Sequence, residues 1–338
     1  MKPMLMSLHL GGREIGLHTY GVLIGCGCAV AIVLAFREAR RQGLDGSKIL
    51  DLSFWMLVAG LLGSRLLYVA LNARTFARVC VGGGDDELAA RSLGRVLGDC
   101  TRVLQVWEGG LVFYGGFIGA CVFAFYFARR QGWSFWALGD LYAPSLAIGH
   151  AFGRLGCFTA GCCFGKACDA AAHWCARFGT DSVAFEELRA VSAVPDGATL
   201  TPPLFPTQLY EALGELLIFG VLMFARQRLR QRAGAGAHGE PNGTTSARRP
   251  GTLVLLYAVL YGLLRFGVEL YRGDFARLYL LPFATPRLAR WLGLPAGEAV
   301  LLSTGQAVSI AVVLAAIVAL ILRRRHPLRS PHPSAGEG

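Results

Sequence analysis

Charge is scarce in this chain. Asp, Glu, Lys and Arg make up 16% of its 338 residues against 54% hydrophobic residues, and the mean hydropathy is +0.47, a balance outside the range of soluble globular domains. No Walker loop, dinucleotide fingerprint or zinc-protease helix occurs, so nucleotide cofactors and metalloprotease chemistry have no support in the sequence. No internal repeat is apparent, which argues against a transporter built from repeats. A cleavable signal is not evident either. The basic cluster Arg37/Arg40/Arg41 follows the first apolar run, and no small-residue cleavage site appears, so that run is expected to remain as a helix.

What is present is a series of apolar blocks. Seven stretches approach the roughly 20 residues needed to cross a hydrocarbon core: Tyr20–Phe36, Ile49–Leu71, Gly109–Ala128, Phe135–Ala151, Leu209–Ala225, Thr252–Tyr271 and Leu302–Leu322. Basic clusters at Arg37/Arg40/Arg41, Arg129/Arg130, Arg226 to Arg232 and Arg323 to Arg325 follow the first, third, fifth and seventh. The positive-inside rule puts all four on the cytoplasmic side, which requires an odd number of spans and an external N-terminus. The expectation is an all-α polytopic membrane protein of about seven transmembrane helices, with N-terminus periplasmic and C-terminus cytoplasmic. The clusters account for most of the formal net charge of +11, so the charge reports orientation and gives no support to nucleic-acid binding.

A single transmembrane domain is expected over residues 1–325. The external segments 72–108 and 166–206 would form a small periplasmic cap, 233–250 reads as a flexible cytoplasmic linker, and 326–338 as a disordered tail. Cys80 and Cys100 fall in the first external segment, Cys168 and Cys175 in the second, and an oxidising periplasm favours a disulfide within each. Cys26, Cys28 and Cys121 lie inside helices and are expected only to pack.

Polar residues inside apolar blocks are the candidate site. The stretch Gly149 to Gly165, GHAFGRLGCFTAGCCFG, places His150 and Arg154 one turn apart. An arginine there either lines a functional cavity or snorkels to the headgroups. Pro206 to Glu211 (PTQLYE) opens the fifth block. Thr207 reads as an N-cap and Glu211 as a first-turn acid, which leaves Gln208 and Tyr210 unexplained. Tyr261, Arg265 and Glu269 form a stripe at spacing four, a structural ion pair or a site. The run Trp107 to Gly116 pairs glycines around aromatics, for tight packing or a ligand opening, and Arg65 adds a charge in the second block. Arginines from several helices suit an anionic headgroup, because guanidinium presents a fork that fits phosphate.

In this order the pieces resemble the prolipoprotein diacylglyceryl transferase family. The resemblance runs over nearly the whole chain through Tyr20-Gly21, Gly63-Ser64-Arg65, Trp107–Gly116, Gly153-Arg154-Leu155-Gly156, Pro206–Glu211 and Tyr261–Glu269. It implies a seven-helix enzyme of the bacterial inner membrane with its active site toward the periplasm. Such an enzyme moves the diacylglyceryl group of phosphatidylglycerol onto the lipobox cysteine thiol of a prolipoprotein signal peptide, forms a thioether and releases glycerol phosphate. No metal or cofactor is implied. Arg154 and Arg265 would hold the phosphate and stabilise its charge as it leaves, with Glu269 orienting Arg265. Tyr20, Gln208, Tyr210, Tyr261 and more weakly Arg65 would line the headgroup cavity, with Tyr114 and Glu211 in the same substrate-binding set.

The chain departs from the family pattern where it matters. Typical members have a histidine where Tyr114 stands, asparagines where Cys157 and Ala160 stand, and an acid where Cys162 stands. A tyrosine with an ordinary pKa of about 10 is a poor base at neutral pH, so His150 is the expected substitute, completing a catalytic set with Arg154 and Arg265. Cys157, Cys162 and Cys163 raise an alternative, a diverged membrane thiol oxidoreductase. Metal binding there is disfavoured because the spacing matches no closed zinc pattern and His173 is the only obvious extra ligand. A lipid carrier on the same scaffold, without catalysis, is a third reading.

Overall fold

The computed structural model of the protein describes residues 4–10, 13–74, 76, 112–169, 174–236, 250–274, 279–283, 287, 291 and 301–325. Among these residues eight helices form: α1 (Thr19–Arg41), α2 (Gly46–Leu71), α3 (Phe113–Arg130), α4 (Phe135–Ala160), α5 (Val183–Ala190), α6 (Thr207–Gly236), α7 (Thr252–Tyr271) and α8 (Thr304–Arg325). Four short strands accompany them. β1 (Met4–Leu10) pairs antiparallel with β2 (Arg13–His18), and β3 (Tyr279–Phe283) with β4 (Leu301–Ser303).

The helical class is as expected, and each of the seven apolar stretches holds a helix. Five helical segments, Thr19–Arg41, Gly46–Leu71, Thr207–Gln231, Thr252–Tyr271 and Thr304–Arg323, are long and apolar enough to cross a membrane. Of the helices in the seven apolar stretches, two fall outside that set for visible reasons. α3 has 18 residues and ends on Arg129 and Arg130, and α4 carries Asp140, Pro144, His150 and Arg154. α6 continues through Gly236, past the start of the expected linker. Residues 237–249, the tail 326–338, Trp107 to Leu111, His173 and the pair Cys80 and Cys100 lie outside the described residues.

The chain divides into two compact units, Phe36–Leu138 and the remainder, with the boundaries inside α1 and α4. In the first of these, α2 and α3 meet on small residues. A Cβ added to Gly63 would strike the Gly115 carbonyl, one on Gly115 the Gly63 carbonyl, and one on Gly119 the Ala59 carbonyl. Gly115 and Gly116 are therefore packing residues, since little more than hydrogen fits where two helix backbones touch. Asp45 caps α2 by accepting from Ser47 N at 2.9 Å. The opposite faces are apolar and exposed at Phe54, Leu62, Leu66, Phe117 and Val122, as lipid-facing side chains would be.

In the other unit α4, α6 and α7 share a core of Ala143, Ala147, Ile218, Leu222 and Leu253. Residue numbers rise along α4 and α7 and fall along α6 at successive levels of this core, so α6 runs antiparallel to both. Gly27 of α1 lets Phe152 of α4 approach, Gly214 of α6 admits Leu264 of α7, and Gly262 of α7 admits Val313 of α8.

Asp140 and Pro144, which interrupt the fourth apolar block, are bound into this packing. Asp140 Oδ1 accepts from Leu253 N at 2.7 Å and Val254 N at 2.9 Å, and its Oδ2 from Gly251 N at 2.7 Å. It thereby satisfies the unpaired amides that open α7 from a different helix. Pro144 has no N–H, which frees the Asp140 carbonyl four residues back. Arg226 Nη2 takes it at 2.8 Å, with the Leu141 carbonyl at 3.0 Å.

Between α4 and α6 the segment 161–206 builds its own small core of Phe164, Phe178, Ala184 and Leu204. Cys168 and Cys175 form the expected disulfide, packed against Phe205, Tyr210 and Tyr271.

Two stability consequences are testable. Asp140→Ala strands three amides of α7 and is expected to cost about 2–3 kcal/mol in denaturant unfolding of the purified protein, with Asp140→Asn recovering part of it. Gly63→Leu must separate α2 from α3 and is expected to lower the thermal transition, whereas a leucine at exposed Ile118 should leave it in place.

Candidate active site

One to two turns along from the shared core, the same three helices turn polar at one level. Glu211 of α6 stands between two arginines. Its Oε1 lies 3.0 Å from Arg154 Nη2 of α4, and its Oε2 lies 3.5 Å from Arg265 Nη1 of α7. Arg265 Nη2 reaches Glu269 Oε2 at 2.7 Å, one turn along α7. Glu211 and Glu269 are both almost fully buried. Each charge has an opposite charge within reach, which is the condition under which ions persist in an apolar bundle.

His150 extends the network. Arg154 Nε donates to its Nε2 at 3.2 Å, and its Nδ1 lies 2.7 Å from Glu215 Oε1. A lone pair held that close to a carboxylate would be repelled, so Nδ1 carries the proton and Nε2 the lone pair that Arg154 occupies. The imidazole also packs on Tyr261, ring centres 5.1 Å apart, and Tyr261 stacks on Tyr257.

Glu215 is completely buried and was not singled out in the sequence. The signal was available, since it repeats Glu211 at spacing four inside an apolar helix.

Glu269 is anchored from α8. Ser303 Oγ donates to Glu269 Oε1 at 3.0 Å while accepting from Gln306 N at 3.2 Å, and Gln306 Oε1 accepts from Ser303 N at 3.2 Å. This is a capping box, S-x-x-Q, whose serine also holds a site carboxylate. A Cβ on Gly305 would come within 2.8 Å of that carboxylate, so the glycine leaves it room.

The opening of α6 corrects one expectation. The Pro206 carbonyl accepts from Leu209 N and Tyr210 N, so Pro206 holds the cap position and Thr207 is already helical. The Thr207 hydroxyl instead donates to the Cys163 carbonyl at 2.8 Å, and Gln208 Nε2 to the Cys162 carbonyl at 2.8 Å. The other amide atom, Gln208 Oε1, is buried with no hydrogen-bond partner among the described residues, and the same holds for Arg265 Nη1.

Tyr20 of α1 lies over Gly156, where a Cβ would come within 3.1 Å of its ring, and within electrostatic range of Arg154 and the three thiols. Tyr210 packs instead beside Tyr271 and Phe205 near the disulfide. Arg65 and Tyr114 belong to the other unit. There Arg65 is buried with its guanidinium 5.3 Å from the Tyr68 ring, and Tyr114 is exposed, edge-on to Phe113.

After α7 the chain returns along the cysteine-rich turn. Gly273 N donates to the Phe164 carbonyl at 3.0 Å and Lys166 N to the Tyr271 carbonyl at 2.8 Å. Arg272 grips Asp274 with two hydrogen bonds, at 2.6 and 2.7 Å, and its Nη2 also donates to Cys163 Sγ at 3.6 Å. Burial works against the Arg272 cation, but Asp274 more than offsets this, so its pKa is raised and it stays charged.

The sequence profile of the prolipoprotein diacylglyceryl transferase family matches residues 6–322. Similar proteins include a phosphatidylglycerol–prolipoprotein diacylglyceryl transferase of Clostridium tetani, 24% identical over 94% of this chain and 96% of the relative. Others carrying that name come from Thermosynechococcus vestitus, 30% identical over 79% of this chain and 81% of the relative, and Pseudomonas fluorescens, 29% identical over 87% and 90%. The two arginines, held by glutamates of α6 and α7, thus sit on a chain matched almost end to end, and the protein belongs to the prolipoprotein diacylglyceryl transferase family.

Proposed function

We propose that this protein transfers the diacylglyceryl group of phosphatidylglycerol to the lipobox cysteine of prolipoprotein signal peptides. The thiolate sulfur attacks the glyceryl carbon that bears the phosphate, the carbon–oxygen bond breaks, and glycerol phosphate leaves as the thioether forms. The observation that carries the reading is the Arg154–Glu211–Arg265 arrangement, two guanidiniums aimed at one anionic group in a site with little access to water. In the resting protein that group is the Glu211 carboxylate. A headgroup phosphate takes its place, gains charge as the bond to carbon breaks, and is stabilised by dipoles and charges already in position. Gln208 Oε1, which has no hydrogen-bond partner among the described residues, accepts from a hydroxyl of the glycerol headgroup in this reading.

The proton of the attacking thiol goes to His150. Its Nε2 is occupied by Arg154 in the resting protein, so the imidazole becomes a base when phosphate draws Arg154 away, with Glu215 holding the opposite nitrogen. Binding and base activation are then one movement. A thiol with an ordinary pKa near 8.5 needs only modest help. Tyr20 and Tyr261 flank the headgroup, and Glu269 keeps Arg265 oriented.

Seven spans with the N-terminus periplasmic put the site toward the periplasmic face of the inner membrane. The basic ends of α1 and α3 support this orientation. So does the Cys168–Cys175 disulfide, because such a bond persists in an oxidising compartment.

The test is to incubate purified protein with phosphatidylglycerol and a lipobox peptide and look by mass spectrometry for the diacylglyceryl thioether. Arg154→Ala and Arg265→Ala are each expected to lower turnover at least about 100-fold. A carrier would bind the lipid and give no thioether from any variant. His150→Ala is expected to lose about 100-fold in turnover with lipid binding kept, and full activity in that variant would remove the base assignment. Glu215→Gln is expected to shift the pH profile of turnover, which a purely structural role would leave unmoved.

A further inference from the structure

Three cysteines, Cys157, Cys162 and Cys163, are brought together by the end of α4. Gly161 closes the helix at a positive φ of 73°, with Gly161 N donating to the Phe158 carbonyl at 3.3 Å and Cys162 N to the Cys157 carbonyl at 3.2 Å. That pair of bonds is the Schellman motif, which sets the third residue from the helix end beside the second residue past it. Here those residues are Cys157 and Cys162. Cys163 follows, also left-handed at φ 59°, an unusual conformation for a residue with a Cβ. It is held there by Thr207 on its own carbonyl, Gln208 on the carbonyl of Cys162, and Arg272 on its sulfur.

The result is three free, half-buried thiols whose sulfurs lie within 4.8 Å of one another. We propose that Cys157, Cys162 and Cys163 form a three-sulfur site for a soft monovalent cation of the copper(I) type. With metal–sulfur bonds of about 2.3 Å, a trigonal site needs sulfurs about 4 Å apart, so the triangle has to contract by less than about 1 Å. Thiolate sulfur is the donor that selects soft ions, and three donors suit copper(I), whereas a structural zinc takes four. The thiol protons leave to solvent as the metal–sulfur bonds form, and no electron is transferred.

Charge agrees with a monovalent occupant. Three thiolates and one monovalent cation sum to −2, and two guanidiniums border the cluster: Arg272 at 3.6 Å from Cys163 Sγ, and Arg154 one turn before Cys157. Each also faces a carboxylate, Asp274 and Glu211, so they reduce the repulsion among the sulfurs without cancelling it. A disulfide between any two would use a sulfur pair and leave the third without a partner. The nearby Cys168 and Cys175 are already joined to each other.

The full-length protein, reduced and kept anaerobic in detergent, is titrated with copper(I) held by a coloured competing chelator. One copper per chain is expected to be withdrawn, and X-ray absorption should show sulfur at about 2.3 Å with no nitrogen or oxygen neighbour. Cys157→Ser, Cys162→Ser and Cys163→Ser are each expected to weaken binding by at least tenfold, roughly the least that even an outer-shell change costs. Cys26→Ser and Cys121→Ser should leave it unchanged, with thermal unfolding showing that all five variants fold. The proposal is overturned by no uptake, by uptake that survives the triple variant, by tighter binding of zinc(II), or by a disulfide joining two of the three in the isolated protein. The readout is binding, so it stands or falls separately from transferase activity.

Discussion

Glu211 between Arg154 and Arg265 is the interaction on which the rest of this arrangement turns. An isolated charge in an apolar bundle is costly, and deleting one partner of a buried pair leaves the other uncompensated. Arg154 comes from α4, Glu211 from α6 and Arg265 from α7, so the ions can meet only if the three helices share one level. The apolar core of Ala143, Ile218, Leu222 and Leu253 sets that level, and the charges exploit it. Such a network is weak evidence for stability, because an apolar replacement would pack as well. Under the proposed function it has another use, because two guanidiniums that face one carboxylate can hold a phosphate in its place.

Around this centre, the polar side chains within the apolar helices answer to different needs. Asp140 and Arg226 serve the backbone, one opening α7 and the other covering the carbonyl that Pro144 frees. Ser303 and Gln306 close the start of α8 and at the same time fix Glu269. Glu215 fixes the orientation of His150. Residues that look alike by composition are thus separated into scaffold and site by what they touch. Glycine does the complementary work, since Gly156, Gly262 and Gly305 make room for Tyr20, Val313 and Glu269.

The cysteine-rich turn owes its arrangement to one local backbone motif. The Schellman close at Gly161 is backbone geometry and does not depend on which side chains stand at 157 and 162. In this chain the closure gathers sulfur beside Arg154. Thr207 and Gln208, from a helix more than forty residues away in sequence, then pin that turn against α6. The polar opening of α6 therefore acts largely on the loop, with one amide oxygen of Gln208 left over.

Much was legible beforehand because it follows from spacing and hydropathy. Apolar blocks of about 20 residues give helices, and the stripe Tyr261, Arg265 and Glu269 shares a face because 3.6 residues make a turn. Charges inside such blocks stand out because they are costly there and need partners. The hairpin of β1 and β2 was also present as a signal, in the alternation around Gly11-Gly12, but it is faint beside the longer blocks. What sequence alone determined was which residues were out of place in an apolar helix: Arg154, His150, Glu211, Arg265 and Asp140. Only the tertiary structure decided what each was for, because partnership across helices depends on rotation and level, which no one-dimensional spacing encodes. Asp140 thereby became a cap, Thr207 a tether, Glu215 a member of the site, and three cysteines that no metal pattern predicts became a cluster.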